Sequence, residues 1–169
     1  MTNLIILDKD GTVVKSISGS KYPGFQDQHL ISGVKDRILR HVEAGDILAI
    51  ASNQGGISKG HKSLDETIAE FLEVFQLIPQ IKVACFCPDY EGKILHQLWS
   101  DSSFDTLNLE NFPNFRPFRK PEPGMLEYLM FLFQERYSQV LFVGDMNSDE
   151  QAAVAAGVNY LDVKDWLQS

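Results

Sequence analysis

The hydrophobic residues of this chain form short continuous runs that alternate with segments of helical period. Continuous apolar runs predict strands buried on both faces, and they lie at residues 3–8, 46–51, 81–87 and 139–143. Apolar residues at helical spacing predict helices from Ser32 to Gly45 and at residues 63–76, 122–136 and 148–156. A short strand and a tail helix are expected at residues 158–167. This alternation predicts a parallel sheet covered by helices.

We therefore expect one α/β domain over residues 1–169, a Rossmann-like three-layer α/β/α arrangement around a central parallel sheet. Two stretches, 13–31 and 88–118, follow neither period and are expected to be loop insertions. Both would leave the sheet at the end where ligands bind in such folds. Their aromatic residues either shape a substrate pocket or simply pack the loops onto the domain.

Polar residues follow the first strand immediately, in the segment Asp8-Lys9-Asp10-Gly11-Thr12. Two carboxylates two residues apart at a strand end project from the same face. Gly11 permits a tight turn that leaves backbone N–H groups free for a ligand. Such a group suits a divalent cation and a phosphate, although Asp and Gly are also common in plain surface turns.

This segment resembles the first of four motifs that mark the haloacid dehalogenase (HAD) superfamily of phosphotransferases. The other three occur in order, and they are Ser52 after an apolar strand, Lys120 within Arg119-Lys120-Pro121-Glu122-Pro123-Gly124-Met125, and Gly144-Asp145-Met146-Asn147-Ser148-Asp149. Two longer segments, Ser52-Asn53-Gln54-Gly55-Gly56-Ile57 and the one from Arg119 to Met125, resemble one branch of this superfamily. That branch holds heptose-bisphosphate phosphatases, histidinol-phosphate phosphatases and polynucleotide 3′-phosphatases. The resemblance implies a HAD-like fold with a minimal cap domain or none.

Asp8 and Asp10 are the candidate catalytic residues. A carboxylate at Asp8 can attack phosphorus and form an aspartyl-phosphate, while Asp10 protonates the leaving alcohol and then activates water. The resemblance assigns the same two roles. Several carboxylates close together require a cation, and we expect Mg²⁺ bound by Asp8, Asp145 and, as the family implies, the Asp10 carbonyl. Asp149 would reach the metal through water or orient Lys120; the alternative for Asp145 and Asp149 is helix capping.

Four further residues are candidate contacts to the phosphate or the substrate: Ser52, Asn53, Arg119 and Lys120. The Ser52 hydroxyl and the Asn53 amide would donate hydrogen bonds, and Lys120 would stabilise charge that develops on phosphate oxygens. Arg119 offers a bidentate grip on the substrate. The alternatives are that Ser52 caps a turn and that the two cations are ordinary surface residues.

The net charge of −8 at pH 7 bears on the choice of substrate. Nucleic-acid binding usually needs a basic face, so the charge disfavours, without removing, a nucleic-acid partner. No apolar run is long enough to span a membrane, and no signal-peptide core begins the chain. We therefore expect a cytoplasmic protein without a membrane partner; the sequence does not fix its oligomeric state.

The two cysteines, Cys85 and Cys87, bear on a zinc site. Heptose-bisphosphate phosphatases commonly hold zinc with a Cys-x-His pair and a later Cys-x-Cys pair. Here Asp89 replaces the histidine, and Arg116 and Phe118 stand at the later cysteine positions. We expect no zinc and two reduced cysteines at the end of a buried strand.

The sequence thus predicts a Mg²⁺-dependent phosphomonoester hydrolase that forms an aspartyl-phosphate on a small metabolite, either a sugar phosphate or a compound like histidinol phosphate. The second hypothesis is a polynucleotide 3′-phosphatase acting on nucleic-acid ends. A third, from another class, is a phosphoacceptor signalling domain, since receiver domains also carry an acidic cluster, a hydroxyl residue and a lysine on a parallel sheet. The Asp-x-Asp-Gly-Thr segment does not resemble that arrangement.

Overall fold

The computed structural model describes residues 1–169 and contains nine strands and five α-helices. The strands are β1 (Asn3–Leu7), β2 (Val14–Ser16), β3 (Gln28–Leu30), β4 (Ile47–Asn53), β5 (Val83–Cys87), β6 (Ile94–Trp99), β7 (Phe104–Asn108), β8 (Gln139–Gly144) and β9 (Asn159–Asp162). The helices are α1 (Val34–Glu43), α2 (Leu64–Leu77), α3 (Gly124–Leu132), α4 (Asn147–Ala156) and α5 (Val163–Gln168). No helix combines the length and the hydropathy that a bilayer span requires.

Seven strands form one sheet in the order β7-β6-β5-β4-β1-β8-β9. Five of these strands pair in parallel with their neighbours, and they are β5, β4, β1, β8 and β9. β1 lies in the middle, and its residues Leu4 to Leu7 are at most 2% exposed. A continuous apolar run suits this position because helices cover both faces of the strand.

The pleat of β1 divides the hydrophobic core into two layers. Leu4 and Ile6 face one cluster, which includes residues of α3 and α4, whereas Ile5 and Leu7 face the other, which includes residues of α1, α2 and α5. Helices therefore pack on both sides of a mostly parallel sheet, and the predicted three-layer α/β fold is confirmed.

The two stretches expected to be loops contain regular structure. Within 13–31, β2 and β3 form a separate antiparallel hairpin, which is a small cap beside the sheet. Within 88–118, β6 and β7 pair antiparallel and extend the sheet beyond β5. The expectation of a loop over 88–118 was wrong because these strands bury polar residues such as His96 and Gln97, which obscures the apolar alternation of an edge hairpin.

Two helix boundaries also differ from the prediction. α3 begins at Gly124 rather than at 122, because Pro121 and Pro123 keep the preceding chain out of a regular helix. It ends at Leu132, before the expected 136, and Glu135 adopts a positive φ of 65° that a helix cannot accommodate. The segment before α3 carries Lys120, which bonds to the Ala51 carbonyl and to the Asn53 side chain at the carboxyl end of β4.

Candidate active site

Three neighbouring parallel strands deliver the predicted acidic and hydroxyl residues to one edge of the sheet. Asp8 follows β1, Asp145 follows β8, and Ser52 lies at the end of β4. The backbone N–H of Asp8 donates to the Val143 carbonyl at 2.9 Å, so pairing with β8 continues through Asp8. The carboxylates of Asp8, Asp145 and Asp149 each offer an oxygen within 4.8 Å of the others. This spacing allows one cation to contact all three.

Lys120 supplies a buried positive charge to this acidic cluster. Its ammonium donates to Asp8 Oδ1 at 2.8 Å, to Asp149 Oδ1 at 2.6 Å and to the Ala51 carbonyl at 3.0 Å. All three ammonium hydrogens can therefore be satisfied although the residue is only 3% exposed. The lysine lies among the carboxylates rather than on the protein surface.

Asn53 holds the backbone of Lys120 in place. Its Nδ2 donates to the Lys120 carbonyl at 2.9 Å, and its Oδ1 accepts from the Lys120 N–H at 3.0 Å. The side chain predicted to contact phosphate thus makes a reciprocal pair of bonds to the neighbouring loop. This arrangement gives Asn53 a structural role in positioning Lys120.

Burial and like charges disturb the ionisation of the cluster. Burial raises the pKa of Asp8 to about 7, against the opposing effect of Lys120, and Asp149 adds to the rise. The pKa of Asp145 is also raised, first by burial and then by Asp149. Burial opposes charge on Lys120, but the carboxylates of Asp8 and Asp149 outweigh it and raise its pKa. Burial is thus the main cause of the raised pKa of Asp8 and of Asp145, and repulsion by Asp149 adds a smaller contribution to each.

Asp149 both caps α4 and orients Lys120, which are two of the roles that the sequence predicted for it. Its Oδ2 accepts from the backbone N–H groups of Asp145 and Met146, at 3.2 Å and 3.0 Å, at the beginning of α4. Its Oδ1 accepts from Lys120. Gly144 makes this approach possible, because a Cβ at that position would lie 2.4 Å from Asp149 Oδ2.

Gly11 brings the first motif close to Asp145. Its φ of +85° lies in the left-handed region that glycine adopts without strain. A Cβ on this residue would lie 2.3 Å from Asp145 Oδ2. The turn after Asp10 therefore packs directly against the acidic cluster.

The carboxylate of Asp10 is held from two sides. Oδ1 accepts from the Lys9 ammonium at 2.6 Å, and Oδ2 accepts from Gln54 Nε2 at 3.1 Å. Gln54 Nε2 also donates to Ser52 Oγ at 2.9 Å. Because the Ser52 oxygen already accepts a hydrogen bond, its own hydrogen remains available to an acceptor such as a phosphate oxygen.

Sequence reasoning missed the residues that surround Asp10. Lys9, Gln54, Lys62 and Glu70 form a connected polar group there, and Lys9, Gln54 and Glu70 are at most 3% exposed. A lysine between two aspartates is ordinarily solvated, so its burial left no signal in the local sequence. Gln54 could have been identified as a site residue from its position in the second motif, directly after Ser52 and Asn53.

Arg119 lies at the margin of the site, next to Gly55. Its guanidinium stacks 4.1 Å from the ring centre of Tyr90, and its buried Nη1 has no hydrogen-bond partner. A Cβ at Gly55 would lie 3.0 Å from that nitrogen and 2.9 Å from the Tyr90 ring. The unpaired donor leaves Arg119 able to bind an anionic group.

The two cysteines lie on β5, in the core layer beneath α3, and the Cys87 carbonyl accepts from the Gln54 N–H at 2.8 Å. Both are free, and burial raises the pKa of Cys85 and brings that of Cys87 to about 12. Cys87 Sγ lies 3.3 Å from the Asp89 carbonyl and 3.4 Å from Asp89 Oδ1. These thiols therefore behave as small buried residues.

Comparison with known families explains the arrangement of these motifs. The model of the polynucleotide kinase 3 phosphatase family matches residues 3–164. The chain belongs to this family. It is accordingly a HAD-superfamily phosphatase, a phosphoric monoester hydrolase, and the resemblance stated from its four motifs is confirmed.

Individual relatives of this phosphatase support the same placement. It is 29% identical over 165 residues to the D-glycero-beta-D-manno-heptose-1,7-bisphosphate 7-phosphatase of Pseudomonas putida, covering 95% of this chain and 82% of the relative. Among solved structures, a protein described as a HAD-like phosphatase from Mesorhizobium loti matches with a TM-score of 0.72 at 22% identity, over 99% of this chain and 85% of that one. The D,D-heptose 1,7-bisphosphate phosphatase of B. bronchiseptica, complexed with magnesium and phosphate, matches with a TM-score of 0.64 at 24% identity, over 95% and 79%.

Proposed function

We propose that this phosphatase hydrolyses a sugar phosphate in a Mg²⁺-dependent reaction that passes through an aspartyl-phosphate on Asp8. The observation that carries the proposal is the cluster in which the buried Lys120 bridges Asp8 and Asp149 beside the more exposed Asp145, with Asp10 two residues after Asp8. The named relatives act on a heptose bisphosphate, which supports a sugar phosphate as the substrate class.

The acidic cluster fits a magnesium ion. Each of the three carboxylates offers an oxygen within 4.8 Å of the others, and burial raises the pKa of Asp8 and of Asp145, so a bound cation would stabilise the charged forms of both. Asp8, Asp145 and the Asp10 carbonyl would hold the ion, while Asp149 stays on Lys120 and the α4 backbone. When bound, magnesium would neutralise charge on the phosphate and on Asp8.

The side chains can carry two successive displacements. Asp8 would attack phosphorus and take the phosphoryl group from the ester oxygen, which leaves with a proton from Asp10. Water would then attack the aspartyl-phosphate and give its proton to Asp10, so that inorganic phosphate leaves and both carboxyl groups return to their starting states. Ser52 would donate a hydrogen bond to the phosphoryl oxygens, and Lys120 would stabilise their negative charge.

Arg119 is our candidate contact to the part of the substrate remote from the reacting phosphate. Its Nη1 is buried without a partner, and the guanidinium carbon lies 4.1 Å from the centre of the Tyr90 ring. A second anionic group on the substrate would satisfy that donor. This feature favours substrates with an additional phosphate or carboxylate over simple monoesters.

A polynucleotide 3′-phosphatase is the second candidate, and the description of the matching family favours it. The β2–β3 hairpin is a small cap with strands of three residues each, which would leave room for a bulky substrate. The net charge of −8 opposes strong attraction to a polyanion. We therefore rank this function below hydrolysis of a sugar phosphate.

A phosphate-release panel tests the proposal, with Mg²⁺ and with chelator. The panel holds heptose and hexose phosphates and bisphosphates, histidinol phosphate, nucleotides and a 3′-phosphorylated oligonucleotide. We expect the highest kcat/KM on a sugar bisphosphate and loss of turnover with chelator. Preference for the oligonucleotide, with an activity that falls steeply with salt, would instead support the second candidate. Turnover that persists unchanged in chelator would contradict the role of magnesium.

Magnesium affinity should rise with pH. Because the pKa of Asp8 is raised to about 7, the free protein holds a proton there that the metal must displace at lower pH. One such proton predicts an apparent Kd for Mg²⁺ that falls about tenfold between about pH 6 and pH 8. Calorimetric titration of the full chain measures it.

The same shift predicts how the metal-free protein responds to pH. A carboxyl group with a raised pKa binds more protons in the folded than in the unfolded state, so the free energy of unfolding should decrease as pH rises from about 4 to about 7. The exposed Asp36→Asn variant is the control and should match the unaltered protein in both measurements. A pH-independent Kd would contradict the prediction.

A further inference from the structure

A closed ring of hydrogen bonds connects Asp10 to α2 and to the loop after β4. Lys9 Nζ lies 2.6 Å from Asp10 Oδ1 and 3.4 Å from Glu70 Oε2. Lys62 Nζ lies 3.0 Å from the same Glu70 oxygen and 2.5 Å from Gln54 Oε1. Gln54 Nε2 closes the ring on Asp10 Oδ2 at 3.1 Å. We call these five residues, Lys9, Asp10, Gln54, Lys62 and Glu70, the Asp10 ring.

The charges of the Asp10 ring balance, with two ammonium groups and two carboxylates. Lys9 is fully buried, and its ammonium also lies 5.4 Å from the centre of the Phe71 ring. A buried lysine without partners would lose several kcal/mol of solvation energy, so the chain must place Glu70 accurately. The capping box of Ser63 and Glu66 does this by fixing the start of α2 directly after Lys62.

The ring restrains the carboxylate that the proposed reaction uses first as an acid and then as a base. Rotation of Asp10 about its Cβ–Cγ bond would break the bond to Lys9, the bond to Gln54, or both. Each oxygen of Asp10 keeps a second lone pair that none of these donors occupies. The carboxylate is thus held in one plane yet can still give a proton to a leaving oxygen and take one from water.

Gln54 extends the restraint to the phosphate-binding side of the site. Its two Nε2 hydrogens are divided between Asp10 Oδ2 and Ser52 Oγ. The Gln54 oxygen accepts from Lys62, which fixes the orientation of the amide because the opposite orientation would set an amide hydrogen against an ammonium group. The ring therefore sets Asp10 and the Ser52 hydroxyl relative to each other.

We propose that Lys9, Gln54, Lys62 and Glu70 are positioning residues that hold the Asp10 carboxylate on the leaving-group oxygen, and that α2 contributes to this positioning through Glu70. The inference rests on the proposed function, since it requires Asp10 to act as acid and base. None of the four residues needs to touch the substrate. In kcat/KM, which reports the first displacement, their effect should appear where proton donation limits that step and disappear where it does not.

Lys9→Met and Lys62→Met test the proposal on two substrates of similar size, benzyl phosphate and 4-nitrophenyl phosphate. Benzyl alcohol must be protonated as it leaves, whereas 4-nitrophenol leaves readily as its anion. A displaced acid should lower kcat/KM on benzyl phosphate about 10-fold to 100-fold. On 4-nitrophenyl phosphate the loss should stay below about threefold, because that reaction does not need the acid. KM for benzyl phosphate should change little, so the loss lies in kcat.

Each variant leaves Glu70 with one of its two lysines, so no buried carboxylate is stranded. Lys62 is 20% exposed, which makes Lys62→Met the milder variant if Lys9→Met folds poorly. Lys35→Met, on the exposed face of α1, is the matched control and should alter neither substrate. Equal losses on both substrates would show a general structural role and overturn the inference, as would no loss on either.

The experiment distinguishes a failure of the proposed function from a failure of the inference about the Asp10 ring. If the unaltered protein hydrolyses neither ester in the presence of Mg²⁺, the proposed function is wrong and the inference falls with it. If the unaltered protein hydrolyses both and Asp10→Asn lowers kcat/KM selectively on benzyl phosphate, the proposed function stands, because kcat/KM reports the first displacement and not the later water step that both substrates share. The ring is then judged by whether Lys9→Met and Lys62→Met show the same selectivity as Asp10→Asn.

Discussion

Replacement of Asp8 by asparagine is expected to lower phosphate release by about 10⁴-fold or more, because the amide cannot form the aspartyl-phosphate. Asparagine has nearly the same shape, and its Oδ1 can still accept the hydrogen bond that Lys120 donates at 2.8 Å. The loss should therefore come from the missing nucleophile rather than from a rearranged site. Phosphate release at saturating substrate measures it, together with labelling of the protein by ³²P-substrate followed by acid quench.

The same substitution should stabilise the metal-free protein. Burial raises the pKa of Asp8 to about 7, so its charged form is disfavoured in the folded state. A neutral asparagine removes that penalty and one of three mutually repelling carboxylates. Thermal unfolding without metal should show a higher Tm for Asp8→Asn at about pH 8, while the surface variant Asp36→Asn remains unchanged in Tm and activity. Substantial residual turnover or ³²P incorporation into Asp8→Asn would rule out Asp8 as the nucleophile.

The strand ends were the part of the site most accessible from sequence. β1, β4 and β8 are buried on both faces, so each has a continuous apolar run that ends at a polar residue. In a parallel sheet those ends meet at one edge. This rule placed Asp8, Ser52 and Asp145 together without any knowledge of strand order.

The residues around these strand ends were much harder to predict. Lys9 forms a hydrogen bond with Glu70, which lies 61 positions away in the sequence, and Asn53 forms one with the Lys120 backbone, 67 positions away. Local pattern carries no information about such pairs, because a lysine or an asparagine is ordinarily solvated. The β6–β7 hairpin was missed for a related reason, since the buried Gln97 on β6 accepts a hydrogen bond from Tyr128, 31 positions away in the sequence. Polar residues satisfied by distant partners thus mark the limit of prediction from sequence.

Replacement of Lys120 by methionine is expected to have the largest combined effect on stability and activity. The ammonium bridges Asp8 and Asp149, and the residue is only 3% exposed. Removing one member of a buried ion pair typically destabilises a protein by about 3–5 kcal/mol, because the remaining charge stays buried without a partner. Loss of its positive charge at the phosphoryl oxygens should also lower kcat by at least about 10²-fold to 10³-fold. Urea unfolding and phosphate release measure the two effects, with Lys35→Met as the control.

Two comparisons separate the electrostatic cause from a simple packing defect. Saturating Mg²⁺ should restore part of the lost stability of Lys120→Met, since a cation at Asp8 and Asp145 offsets the same repulsion. Adding Asp149→Asn to Lys120→Met should also recover stability, because asparagine can still cap α4 through its side-chain oxygen while removing one stranded charge. Neither change should recover activity. If the double variant loses as much free energy of unfolding as the two single variants together, packing rather than charge explains the loss. If it loses less, the charge of Lys120 balances the carboxylates of the proposed metal and phosphate site.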